Sequence, residues 1–171
     1  MVMGAGGEFN VFGNWFKLHY ILNEGMAFGI NFGSEYGKLI LTLFRLTATI
    51  LIGFLLYRIS KKNYHTGPLW CLTAILAGAI GNVIDSIFYG ALLDNAPHDA
   101  VTPWFHGQVI DMFYLDMWEG YVSDWVPLWG GKSVSLWPIF NLADVSIFLG
   151  VTVLIIFQRK FFTKTQYTHY S

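Results

Sequence analysis

With 54% hydrophobic, 18% aromatic and only 12% charged residues across 171 positions, the chain is too apolar and too sparsely charged for an ordinary soluble domain. It reads as a membrane protein. A formal net charge of −1 gives no sign of nucleic-acid binding, and the single cysteine, Cys71, excludes an intrachain disulfide and is expected to be a buried, inert thiol.

The N-terminal stretch MVMGAGGEFNVFGNW has neither the basic region nor the apolar run of a secretory signal. From Glu8 to Ile30, within the segment 8–37, aromatic and β-branched residues alternate with glycine and asparagine, a pattern of short strands and turns. They predict a small β-rich platform on the outer surface, with Trp15, Phe16, Tyr20 and Phe28 suited to the membrane interface. Helices are expected over 38–58, 67–93 and 136–158, each with the roughly 20 apolar residues that crossing a bilayer requires. The first is broken only by Arg45, read as a snorkelling side chain or a partner for a loop acid. The second is broken at Asn82 and Asp85, the third at Asn141 and Asp144.

The connection 94–135 carries Trp104, Trp118, Trp125 and Trp129 with six acids, too aromatic for disorder, and predicts a folded cap lying on the membrane. Arg58, Lys61 and Lys62 follow the first helix and Arg159, Lys160 and Lys164 the third, with no acid in either segment. Basic flanks favour the cytoplasmic side, so the tail 159–171 is expected inside and the platform and cap outside.

Two blocks, GNVIDS and FNLADV, repeat Asn-x-x-Asp, a spacing that puts both side chains on one helix face. Asp144 is open to two readings: a first-turn acid favoured by the helix dipole with Asn141 as N-cap, or a functional group. Asp85 lies towards the C-terminal end of its helix, where the dipole disfavours an anion, so it needs a partner or a role. Two carboxylates brought together can divide the work, one as base on a water and the other, protonated, polarising a carbonyl. Composition leaves three classes open: an aspartic hydrolase, a proton-coupled transporter, and a non-catalytic membrane binding or assembly module.

Four blocks in order resemble the lipoprotein signal peptidases, the signal peptidase II family: NEGMAFG (23–29), GAIGNVID (78–85), VIDMF (109–113) and FNLAD (140–144). The resemblance implies a mainly α, polytopic membrane aspartic endopeptidase that removes the signal peptide of diacylglyceryl-modified prolipoproteins just before the lipidated cysteine. It moves the catalytic pair from Asp85 to Asp111 and Asp144, and makes Asn23, Gly25, Asn82, Asp85 and Asn141 supporting or substrate-binding residues. It also implies a bacterial inner-membrane location with an extracytoplasmic active site, prolipoprotein substrates and contact with membrane lipids; no cofactor and no nucleic-acid partner are expected, and a monomer is the default for a small enzyme whose site lies inside its own helices.

The chain departs from the family pattern in three ways. The family has four spans, and the first is expected to be absent, the Gly-rich and Met-rich start falling about where it should finish. The arginine that usually follows Gly-Asn-x-x-Asp is Ser86. The intervals on both sides of Asp111 are long, which enlarges the outer cap. His98 and His106 fall in this extra material without metal-ligand spacing.

Overall fold

The computed structural model describes residues 6–25, 36–61, 66–126, 130–131, 133–135 and 137–162. Residues 26–35, which hold Phe28 and the second half of NEGMAFG, lie outside the described residues. The chain divides into two compact units: Met1–Thr42 with Ile84–Asn141, and Leu43–Val83 with Leu142–Ser171.

The first unit is built on a three-stranded antiparallel sheet, β1 (Glu8–Phe12), β2 (Phe16–Asn23) and β3 (Val109–Leu115), in that order. Gly13, at φ 52, allows the chain to reverse between β1 and β2, a backbone conformation that a Cβ disfavours. The aromatic residues of the alternating sequence form a ladder across the sheet: Phe12 stacks on Phe16 at 6.1 Å, Phe16 on Phe113 at 6.2 Å, and Phe113 meets Phe140 at 5.8 Å. Such cross-strand ring pairs fix register as well as burying area. Lys17 ties the sheet from the side, its ammonium 2.7 Å from Asp116 and 3.1 Å from Glu8. Hydrogen bonds to Asp116 and then to Glu8 raise the pKa of Lys17 above the ordinary lysine value, so it stays charged.

Two strands of this sheet come from the expected platform. The third, β3, comes from the connection expected as cap. Its VIDMFYL sequence hides the alternation of burial along the strand, because the buried position 111 carries an acid and the exposed position 112 carries the apolar Met112. A separate short hairpin pairs β4 (Glu119–Tyr121) with β5 (Ser133–Ser135).

Helix α1 (Gly37–Ser60) and helix α2 (Thr66–Leu92) are long and apolar enough to cross a membrane. After α2 the chain turns back on that helix's last turns: the Phe105 amide donates to the Ile87 carbonyl at 3.1 Å and the Gly107 amide to the Ser86 carbonyl at 2.9 Å. This return permits no Cβ at Gly90, which faces the Pro103 carbonyl, or at Gly107, which faces the Asp85 carbonyl. It delivers the chain directly into β3.

In the second unit, α2 packs against α3 (Leu142–Ile156) through small residues. Gly78 lies against the carbonyl of Ala143, Gly81 against the Ala143 methyl, and Gly150 against Ile75 and the carbonyl of Cys71. Small residues are what let apolar helices approach closely where lipid supplies no hydrophobic drive between them.

Helix α3 starts at Leu142, later than the expected 136, and ends before 158. Pro138 cannot donate to a helix and biases the residue before it away from helical conformation, and Phe140 is held in an antiparallel bridge with Phe113. At fifteen residues α3 is about 22 Å long, short of the hydrocarbon thickness. Within the stretch expected as tail, α4 (Gln158–Phe162) forms, with the Phe161 ring packed on Gly67.

Candidate active site

Among the described residues Asp111 is the most deeply set acid of the first unit, 2% exposed in the middle of β3. A carboxylate taken out of water must be compensated by hydrogen bonds. Its Oδ2 accepts from Asn23 Nδ2 at 2.8 Å and its Oδ1 from Asn141 Nδ2 at 2.7 Å. Both donors are uncharged amides.

The sheet explains how both asparagines arrive. Asn23 ends β2 opposite Val109, two positions from Asp111 along β3, so the two side chains are diagonal neighbours on one face. A register shift between Leu18 and Ile21 sets that alignment. On the other side of β3 the Phe113 amide donates to the Phe140 carbonyl at 2.8 Å, and the Phe140 amide returns a bond to the Phe113 carbonyl at 3.0 Å. That bridge joins VIDMF to FNLAD, and Asn141 is the next residue.

The orientation of the Asn23 amide is itself fixed. Its Oδ1 accepts from the Gly25 amide at 2.7 Å, closing an Asx turn and leaving Nδ2 for Asp111. Gly25 adopts φ 94, a region in which a side chain is strained. Behind the turn, Lys38 donates from its ammonium to the Glu24 carbonyl at 2.5 Å.

In the second unit, Asp144 occupies the first turn of α3, where the helix dipole favours an anion. Its Oδ1 accepts from Asn82 Nδ2 at 3.0 Å. The close approach at Gly78, Gly81 and Ala143 brings that asparagine within reach, so the small residues of GAIGNVID and FNLAD have a packing role. Asn141 does more than the capping role open to it in the sequence, since its amide serves Asp111.

Asp85, the acid that helix position alone singles out, has Tyr89 as a side-chain hydrogen-bond partner one turn further along α2. The structure therefore groups Asn23, Gly25 and Asn141 around Asp111, and Asn82 with Asp144. Sequence reasoning passed over Lys38 and the Phe113–Phe140 bridge. A lysine entering an apolar helix has no spacing that marks its target, and a single β-bridge leaves no periodic trace.

His106 is buried, with Nδ1 3.0 Å from the Trp104 carbonyl. Among the described residues, no three His, Cys, Asp or Glu side chains are gathered to hold a metal ion.

Comparison with known proteins bears on the same blocks. A family model described as Signal peptidase (SPase) II matches residues 1–160. A lipoprotein signal peptidase of Amoebophilus asiaticus (strain 5a2) is 50% identical over 160 residues, covering 93% of this chain and 68% of that protein. One from Porphyromonas gingivalis is 42% identical over 162 residues, covering 88% of this chain and 70% of that protein. Two solved chains described as bacterial membrane enzymes share the fold. One has a TM-score of 0.59 at 25% identity over 92% of this chain and 74% of its own, the other 0.58 at 26% over 92% and 78%.

Proposed function

Since the chain belongs to the signal peptidase II family, we propose that it is a membrane aspartic endopeptidase that removes the signal peptide of diacylglyceryl-modified prolipoproteins, cutting just before the lipidated cysteine. Asp111 and Asp144 are the catalytic pair. The observation that carries this reading is the setting of Asp111: a carboxylate almost wholly out of water, held on both oxygens by amides that add no charge. Support for its pairing with Asp144 comes from the chain itself, because Asn141, which donates to Asp111, precedes Asp144 by three residues.

In this mechanism the two acids share one proton. The ionised carboxylate takes a proton from a water, which attacks the scissile carbonyl, while the protonated partner donates to the carbonyl oxygen. The tetrahedral intermediate collapses as a proton passes to the leaving amine, and the pair returns to its singly protonated state. Asn23, Asn141 and Asn82 hold the carboxylates in orientation through each step, and Gly25 keeps the Asn23 turn in place. Asp85 supports the site through α2.

The enzyme sits in a bacterial inner membrane as a multi-pass monomer, with α1 and α2 as spans and α3 extended by the residues on either side of it as the third. Arg58 and Lys61 at the end of α1, and Arg159 and Lys160 in α4, mark the cytoplasmic side. The sheet and the enlarged cap with Trp104 and Trp118 are extracytoplasmic, so the site meets a substrate anchored by its acyl chains.

The test is cleavage of a diacylglyceryl-modified prolipoprotein peptide in liposomes, comparing this chain with Asp111→Asn and Asp144→Asn. Cleavage before the lipidated cysteine that disappears in both variants supports the reading. Undiminished cleavage by either variant removes that residue from the pair.

A further inference from the structure

We propose that Lys38 is a positioning residue for the peptidase reaction, acting on Asp111 through the Glu24 carbonyl and the Asn23 amide. The proposal rests on the function proposed above and deepens it.

Lys38 stands where two forces oppose it. It is the second residue of α1, where the helix dipole repels a cation, and it is only 6% exposed, so its ammonium has lost most of its hydration. A solvated lysine at that position would cost far less. The side chain instead reaches back fourteen residues to the carbonyl of Glu24.

Glu24 is the central residue of the Asx turn. Its neighbours on either side form the bond that defines the turn, from the Gly25 amide to Asn23 Oδ1. Pinning that carbonyl fixes the Glu24–Gly25 peptide plane, which also carries the Gly25 N–H, and through that bond the direction in which Asn23 Nδ2 projects. That amide is one of the two donors to Asp111. The base of the lysine is fixed as well: the Thr42 hydroxyl, fully buried one turn later, lies 3.0 Å from the Lys38 carbonyl and 2.8 Å from the Phe105 carbonyl. The first turn of α1 is thus anchored to the return loop, and Lys38 transmits that anchor to the Asp111 carboxylate.

The experiment measures lipopeptide cleavage for the wild type, Lys38→Met, Lys38→Arg, Asn23→Ala and the Asn23→Ala/Lys38→Met double variant. Hydrogen exchange at the Gly25 and Phe113 amides is followed in parallel. Loss of positioning in Lys38→Met is expected to lower kcat on the order of tenfold to a hundredfold with little change in KM. Lys38→Arg, which keeps a charged donor, recovers most of the rate. In the Asn23→Ala background Lys38→Met costs nothing further, since the residue it acts through is gone. The Gly25 amide exchanges faster in Lys38→Met, while the Phe113 amide, bonded to the Phe140 carbonyl, is unchanged.

Additive losses in the double variant, or unaltered Gly25 exchange in Lys38→Met, overturn the proposal. If Lys38→Met does not fold, Lys38→Gln is read by the same two measures. A wild type that cleaves no lipopeptide defeats the peptidase reading instead, and Gly25 exchange still decides whether Lys38 holds the turn.

Discussion

Asp111 shows how much of a carboxylate's character is set by the two groups that touch it. Its oxygens are divided between Asn23 and Asn141, at 2.8 and 2.7 Å. Replacing Asn141 with leucine removes one donor from a buried anion, and a hydrogen bond to a charged group is worth about 1.5–3 kcal/mol. Turnover of Asn141→Leu is therefore expected to fall by roughly tenfold to a hundredfold, measured on the lipopeptide. Asn141→Asp should be worse, because it sets a like charge beside a carboxylate that is only 2% exposed; equal rates for the two variants would contradict this account. Gly25→Ala tests the same carboxylate at one remove: a Cβ at φ 94 strains the turn that orients Asn23, so the variant should lose rate while β2 and β3 stay protected from hydrogen exchange. At this scale the sequence was legible only in part. Asn-x-x-Asp spacing pointed to Asp85 and Asp144, and only the resemblance of VIDMF to a family motif brought in Asp111. The reason is that Asp111 lies on a strand paired with residues ninety positions earlier and thirty later, a proximity that no local pattern encodes.

Helices α2 and α3 are drawn together by glycines that differ in what a side chain would meet. A Cβ at Gly78 would run into the backbone carbonyl of Ala143, which cannot rotate away, whereas one at Gly81 would sit 3.4 Å from the Ala143 methyl, an ordinary contact. Gly78→Ala should force the helices apart, at a cost of about 1–3 kcal/mol, and should weaken the bond between Asn82 and Asp144. Gly81→Ala should be neutral or slightly stabilising, since alanine is the better helix former by about 1 kcal/mol. Thermal unfolding in detergent, read together with cleavage, distinguishes them: the first variant should lose both stability and rate, and the second neither. The existence of all three apolar helices was legible from hydropathy. Their ends were less so, because Pro138 and the Phe113–Phe140 bridge hold the chain extended up to Asn141 in a stretch apolar enough to be taken for helix. The platform was legible as strands from its aromatic alternation, but its third strand was hidden in the cap, where an acid at the buried position 111 and an apolar residue at the exposed position 112 mask the alternation that marks a strand.

At the scale of the whole chain, apolar helix surfaces contrast with flanking segments of opposite charge character. Helix α1 turns Ile40, Phe44, Ile50 and Leu51 outward, with Phe44 67% exposed, as a lipid-facing helix does. At its far end Arg58 lies over the Phe54 ring at 5.1 Å and Lys61 over the Tyr57 ring at 5.3 Å, a basic and aromatic finish of the kind that anchors a span at the cytoplasmic interface. The cap presents Trp125, 83% exposed, in a region rich in acids and poor in bases. Charge asymmetry therefore predicts one orientation, and single-cysteine labelling can read it. The native thiol, Cys71, is buried against α3 at Gly150 and should stay silent to a membrane-impermeant maleimide. Against that background Trp125→Cys should react in intact cells, whereas Lys61→Cys should react only after the membrane is opened. The cleavage chemistry depends on the result, because the lipidated cysteine of a prolipoprotein emerges on the extracytoplasmic face. The reverse labelling pattern would place Asp111 and its amide cradle on the wrong side of the membrane for that substrate.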